Sequence, residues 1–413
     1  MNKREKGAGN EIFEGLIEKN FIESIYQNCS LVPDSCRMSL YVCSSLYKQA
    51  EDSGFTSNDT FDLDIAFVRG GQPGHSCLIN VGEAIINFKQ FEPMKCIQSL
   101  HLRRWQSSAM HHIEQAEAKI LHGLKKLYGL TFLSLQGISM ITELPVVILT
   151  LNRLKILDLR ACHNLEEIPD DIGLVWSLTH LDMSECYFLE HMPKSLAQLS
   201  NLEVLKGFLI GDFNNKKSCT LYDLSRLEKL RKFNIYVSVK DIHKLLDFGD
   251  LEYFVGLQKL TISWGGCRQS QEVASMELLR RGPLTLPPRL QKLDLQGFPI
   301  GTLTNCLRLT SIKGLEKLYI RGGQLRDLGQ VQKHQGNRWI VKILRLKYLI
   351  DLEIDWSELR ILFPELIYLH QVECPSLLNF PCDERGVWIN QEAIDTHGQL
   401  QKYDRRVRTR RAR

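Results

Sequence analysis

Two stretches of this chain superimpose on each other after a shift of 24 residues. Leu154, Leu157, Leu159, Cys162, Leu165, Ile168 and Pro169 return as Leu178, Leu181, Met183, Cys186, Leu189, Met192 and Pro193. Upstream, Leu130, Leu133 and Leu135 lead to Ile138, Ile141, Leu144 and Pro145 in nearly the same register. Downstream, Leu202 and Leu205 open a further unit, after which the pattern decays. A unit this short cannot bury its leucines alone, so the units must stack on one another and merge their apolar faces into one continuous core.

Taking the middle leucine of each unit as a marker gives Leu100, Leu133, Leu157, Leu181, Leu205, Phe233, Leu260, Leu293, Leu318, Leu352 and Leu369. The spacing is 24 from Leu133 to Leu205, and longer intervals later point to insertions at Asp212–Ser218 and Cys267–Gly282. The final interval of 17, between Leu352 and Leu369, is too short for a full unit, so one of those two is out of register. Alternation in Leu157-Asp158-Leu159 turns both leucines to one face of a short strand and the aspartate to the other. Cys162 and Cys186 fall in the turn after the strand, where such repeats carry Asn or Cys, and read as small buried side chains. Pro145, Pro169 and Pro193 stop further strand pairing, which suits an irregular outer side. The expected fold is an α/β leucine-rich-repeat solenoid with a curved parallel sheet and an irregular or short-helical convex side.

Outside the repeat, Glu11 to Asn20 reads as an amphipathic helix. Met38 to Glu51 reads as a second helix, Phe55 to Gly74 as turn or linker, and Cys77 to Val81 as a strand. From about Glu384 the leucines thin out and the end looks frayed. The expected division is a small, mainly helical N-terminal segment with a linker (1–95), the solenoid (96–385) and a basic tail (386–413).

The net charge is +4 over 413 residues, which makes no general case for nucleic acid or an anionic membrane as partner. Six arginines lie between Arg405 and Arg413, readable as a solvated end or as a nuclear-import or nucleic-acid patch. The twelve cysteines form no C-x-x-C pair or Cys/His cluster with zinc spacing and are too dilute for a disulfide scaffold. Met1 to Gly7 is not the start of a signal peptide, no window approaches 18 apolar residues, and a cytoplasmic location is expected. The sequons at Asn28 and Asn58 carry no meaning without secretion.

The combination of Leu154 to Pro169 and Leu178 to Pro193, continued by Lys194 to Leu202, resembles the repeat region of plant intracellular disease-resistance proteins, the coiled-coil-type nucleotide-binding leucine-rich-repeat immune receptors. Arg289 to Leu295 is similar to their later repeats, and Leu16 to Ile22 resembles the end of the winged-helix part that precedes them. The resemblance covers roughly residues 11 to 385 and is strongest over 130 to 210. It implies a protein-recognition role in innate immunity, with a pathogen effector, a guarded host protein or an adjoining receptor domain as partner. Two family features are missing from this sequence. It has no G-x-x-x-x-G-K-S/T phosphate loop to hold a triphosphate, and Met38-Ser39-Leu40 stands where the family's Met-His-Asp motif would fall. The resemblance is therefore to the sensor portion without its nucleotide switch, and no cofactor is expected.

No metalloprotease, nucleophile-elbow, dinucleotide-fold or kinase pattern occurs, so no enzyme is expected. Gly70 to Ser76 lacks the lysine and following helix of a phosphate cradle, and the adjacent His111 and His112 point in different directions on a helix. A substrate receptor of a ubiquitin ligase is the competing reading, but residues 11 to 50 do not match the F-box-like segment it needs. The candidate partner-binding residues are the outward strand positions Ser134, Asp158, Arg160, Asp182, Ser184, Lys206, Asp294, Tyr319 and Arg321, extended by Gln136, Thr261, Ser263, Gln296, Glu353 and Asp355. Asp158 and Asp182 would sit side by side, either simply solvated or forming an acidic spot for a basic partner. Trp264 and Trp356 are either aromatic anchors for a partner or packing against their own insertions.

Overall fold

The computed structural model describes residues 124–139, 141–210, 217–237, 250–265, 285–303, 314–329 and 339–390. It also describes 97–101 and short pieces between 13 and 79. Two short strands near the start, β1 (Ile22–Ile25) and β2 (Ser35–Met38), pair antiparallel with each other, after a helical turn at residues 15–18.

A second sheet of fourteen strands holds the repeat together. It opens with β3 (Ala66–Arg69), antiparallel to β4 (Ser76–Ile79). From β4 the pairing is parallel, through β5 (Ile97–His101), β6 (Phe132–Ser134), β7 (Ile156–Asp158), β8 (His180–Asp182) and β9 (Val204–Leu209). It continues through β10 (Lys232–Val237), β11 (Lys259–Trp264), β12 (Lys292–Phe298), β13 (Lys317–Gly323) and β14 (Ile343–Lys347). A separate pair, β15 (Ile354–Asp355) and β17 (Leu377–Leu378), brackets β16 (Tyr368–Val372), which pairs with β14. The last strand, β18 (Val387–Ile389), closes the edge antiparallel to β16.

Register accounts for the markers. Leu100, Leu133, Leu157, Leu181, Leu205, Phe233, Leu260, Leu293, Leu318, Leu344 and Leu369 lie opposite one another strand after strand. Each is at most 1% exposed, so they form the spine of the core. Leu352 is the marker out of register. It is buried just before β15, and the strand between Leu318 and Leu369 is carried by Leu344.

The outer side is built from short 3-10 segments, Val146–Thr150, Ile172–Leu174 and Lys194–Gln198. Pro145 and Pro193 stand at the entry of the first and third, where the fixed φ suits the first helical turn. Helical segments take more room per unit than strands about 4.8 Å apart, so the stack arches with its sheet on the inside. Among the described residues of the repeat region two α-helical stretches also occur, α1 (Leu221–Leu224) and α2 (Trp356–Leu362). A reciprocal capping box between Thr220 and Asp223 starts α1, and Asp355 caps α2 by accepting from the Ser357 backbone N–H at 2.8 Å.

The decay of the pattern after Leu205 has a local cause. Gly207 adopts φ +75, and the β9–β10 register shifts there. A Cβ at this position would lie 2.3 Å from the Met183 carbonyl oxygen. The extra residue is a bulge, and it hands the core position two after the marker to Phe208, which is fully buried.

Several expectations are corrected. Among the described residues of the N-terminal part strand outnumbers helix, although the helix expected over Glu11 to Asn20 is helical at residues 15–18. Met38 ends β2 instead of starting a helix, and most of the rest of that expected helix lies outside the described residues. The supposed linker contains β3, whereas the expected strand near Cys77 is present as β4. The chain keeps its place in the sheet beyond Glu384, through β18, before the tail that lies outside the described residues. Gly70 to Gly74, His111 and His112 also lie outside them.

Candidate functional site

The inner face of the sheet carries the side chains just before and just after each marker. Before the markers, the row runs Phe132, Ile156, His180 and Val204, and then Lys232, Lys259, Lys292 and Lys317. After the markers it runs Ser134, Asp158, Asp182 and Lys206 in the first half, and Thr261, Asp294, Tyr319, Arg345 and His370 in the second. The face is thus apolar-edged and internally neutralised at one end, and cationic at the other.

Asp158 and Asp182 do stand side by side, but they do not form an open acidic spot. Asp158 is 8% exposed. It accepts from Arg160 Nε at 3.0 Å and Nη2 at 2.9 Å, from the Arg160 backbone N–H at 3.2 Å, and from Ser134 Oγ at 3.3 Å. Burial pulls its carboxyl upward, but the hydrogen bonds and charge of Arg160 outweigh this and hold it below the usual carboxylate range. Asp182 is bridged by Lys206, lies 3.7 Å from Arg160 Nε, and accepts from the Ser184 backbone N–H at 3.1 Å. Arg160 also donates to Gln136 at 3.3 Å. The like-charge repulsion expected between the two carboxylates is cancelled within the chain, and the basic partner proposed for them is already present.

Trp264 is buried by packing within the chain, whereas Trp356 packs but stays half-buried. Trp264 is 7% exposed, its ring 5.4 Å from Phe298 in a T-shaped contact. Trp356 begins α2, away from the inner face, and meets Trp388 at 4.7 Å and Phe380 at 5.4 Å. Asp355 is a helix cap, and neither it nor Glu353 belongs to the main sheet. Asp294 is buried and lies 3.9 Å from Lys292. Tyr319 is engaged by two cations, Lys292 at 4.1 Å and Arg345 at 4.6 Å from its ring centre. Arg321, at the same end, is exposed, and Ser184, Lys206, Thr261, Ser263 and Gln296 are half-buried on the inner face.

The turn cysteines occupy the positions expected of them. The Cys162 thiol donates to the Leu135 carbonyl and the Cys186 thiol to the Leu159 carbonyl, each at 3.1 Å. Burial pushes Cys162 up to about 11 and Cys186 up to about 12, so neither thiol is a nucleophile at neutral pH. No group of three or more His, Cys, Asp or Glu placed to hold a metal occurs among the described residues. Among them, too, no helix is long and apolar enough to cross a membrane.

The lysine row stands on the residues before each marker, whereas the candidate positions expected from the sequence follow it. Its signal was nonetheless in the sequence. Lys immediately precedes the marker in four successive units, at Lys232-Phe233, Lys259-Leu260, Lys292-Leu293 and Lys317-Leu318.

Comparison with known proteins follows the same lines. Over 277 residues the chain is 29% identical to Disease resistance RPP13-like protein 4 of Arabidopsis thaliana, an alignment covering 66% of this chain and 32% of that protein. The chain therefore spans about a third of that relative's length. Among solved structures, the TLR13–ssRNA13 complex is similar at 19% identity and a TM-score of 0.48, covering 73% of this chain and 40% of that one. The plant peptide hormone receptor RGFR1 in complex with RGF2 is similar at 15% identity and a TM-score of 0.35, covering 76% and 52%. The profile of the family described as "Leucine-rich repeat region" matches residues 84–330, more than half of the sequence. The chain belongs to the leucine-rich-repeat family, and its sequence likeness is to a plant disease-resistance protein.

Proposed function

We propose that this chain is a protein-recognition module of plant innate immunity, working in the cytoplasm and engaging its partner through the inner face of the sheet. The partner class is a pathogen effector, a guarded host protein or an adjoining receptor domain. The observation that carries this reading is the inner face itself, on which strands paired side by side present rows of polar and charged side chains over one continuous leucine-rich core. Such an extended, rigid surface suits recognition of another polypeptide. The likeness to a disease-resistance protein supplies the biological setting.

Site-directed photo-crosslinking tests it. A benzophenone side chain is placed at Thr261 or Ser263 on the inner face, or at Leu174 or Tyr253 on the outer side, in the full chain expressed in pathogen-challenged plant cells. The expected result is discrete protein adducts from the inner positions and few from the outer ones. Adducts confined to the outer positions would reject the inner face as the recognition surface.

A further inference from the structure

Four lysines stand in one line across the inner face. Register places Lys232 opposite Lys259, Lys259 opposite Lys292, and Lys292 opposite Lys317. With neighbouring strands about 4.8 Å apart, the row spans about 14 Å. Compensating acid is scarce. Asp294 is the one inner-face carboxylate among the described residues of β10 to β14, and it is 3.9 Å from Lys292. Lys232, Lys259 and Lys317 form no ion pair among the described residues.

Like charges held this close on adjacent strands oppose folding. Burial, and then the neighbouring Lys206, Lys259 and Lys292, opposed by Asp182, bring the Lys232 ammonium down to about 8. The first half of the same face cancels its charges, through Asp158 with Arg160 and Asp182 with Lys206. The second half leaves a cationic row that a bound polyanion would neutralise.

We infer that the row Lys232, Lys259, Lys292 and Lys317 binds an acidic polypeptide segment, laid across the strands of the inner face. This deepens, and rests on, the reading of that face as the recognition surface. The geometry fits an extended chain, whose alternate side chains lie about 6.8 Å apart, so that carboxylates at three alternate positions span about 14 Å. A single-stranded nucleic acid fits less well, because such sites pair a basic groove with aromatic rings open for base stacking. Here the Tyr319 ring is engaged by Lys292 and Arg345, the Tyr236 hydroxyl lies over Gly265, and Asp294 stands within the cationic zone.

The test is fluorescence anisotropy of a labelled ten-residue peptide of alternating Glu and Ser against the full chain at about 50 mM salt, where screening is modest. Three observations are expected together. The peptide binds the wild type; Lys259→Glu/Lys317→Glu, which leaves the row net neutral, weakens binding at least tenfold; and Lys125→Glu/Arg153→Glu, away from the row, changes affinity less than twofold. Equal loss in both variants, or no binding by the wild type, would overturn the inference. So would an oligouridylate that binds more tightly than the peptide and is lost in the same variant, which would make the row a nucleic-acid surface. Photo-adducts at Thr261 that persist while the peptide fails would reject the acidic ligand alone; absence of both would reject the recognition face as well.

Discussion

Arg160 closes a two-pronged bridge onto Asp158, with Nε 3.0 Å from Oδ1 and Nη2 2.9 Å from Oδ2, although the two residues lie on the same strand and its exit only two positions apart. The same guanidinium reaches across to Asp182 on the next strand at 3.7 Å. One cation thereby joins two carboxylates that strand register forces together.

Removing that cation should cost stability. Arg160→Ala leaves Asp158 buried with Ser134 as its remaining side-chain partner. Breaking a buried pair costs about 3–5 kcal/mol. Because the arginine side chain is 40% exposed, solvent screening lowers the expected loss to about 2 kcal/mol. Urea midpoints of Arg160→Ala and of Arg160→Ala/Asp158→Asn check this, with the double variant recovering part of the loss. Asp158, held below its ordinary range, contributes stability that is complete above the unfolded value near 3.8 and is lost as pH falls through the folded one.

His370 gives a separate dependence at higher pH. It is 1% exposed, and burial, reinforced by Lys347 and Arg345 and opposed by Asp383, lowers its titration from 6.5 to about 4. Between those values the unfolded chain binds more protons than the folded one, so stability falls as pH drops. At up to about 1.4 kcal/mol per unit, and half that at pH 6.5 where the unfolded histidine is half protonated, the loss between pH 6.5 and 5 is about 1.5 kcal/mol. Denaturation midpoints across that window should slope for the wild type and flatten in His370→Gln.

Backbone conformation predicts opposite signs at two positions. Among the described residues, the one four after the marker is left-handed in seven units, as Gly137, Ala161, Glu185, Gly297, Gly322, Tyr348 and Glu373. Left-handed φ costs a side-chain-bearing residue about 1–2 kcal/mol. Ala161→Gly should therefore raise thermal stability by about 1 kcal/mol, after the entropy that glycine loses on folding is deducted. Gly207→Ala, at φ +75 and against the Met183 carbonyl, should lower it by more than that.

The turn thiols should be inert while the chain is folded. Iodoacetamide at pH 8 is expected to leave Cys162 and Cys186 unlabelled in the native protein and to label both in urea, as read by peptide mass. Rapid native labelling of either would contradict the burial that raises them to about 11 and about 12.

The 24-residue recurrence was enough to specify stacked units, a parallel sheet and a leucine spine, because side-chain alternation in a short strand is a local property. It even carried the lysine row, since an inner-face residue precedes each marker as surely as one follows it. What the sequence alone decided stops at which residues share a face. Leu352 looked like a marker because spacing does not show which leucine pairs with its neighbour, and the Gly207 bulge shifted register without changing composition. Trp264 and Trp356 lie next to strands in the sequence, yet only the tertiary structure buries Trp264 against Phe298 and sets the half-buried Trp356 against Phe380 and Trp388. The charge on Asp158 and Asp182 was legible too, but its cancellation depended on residues 24 positions apart meeting across adjacent strands. Local chemistry fixed the scaffold; long-range pairing decided which of its charges remain to meet another molecule.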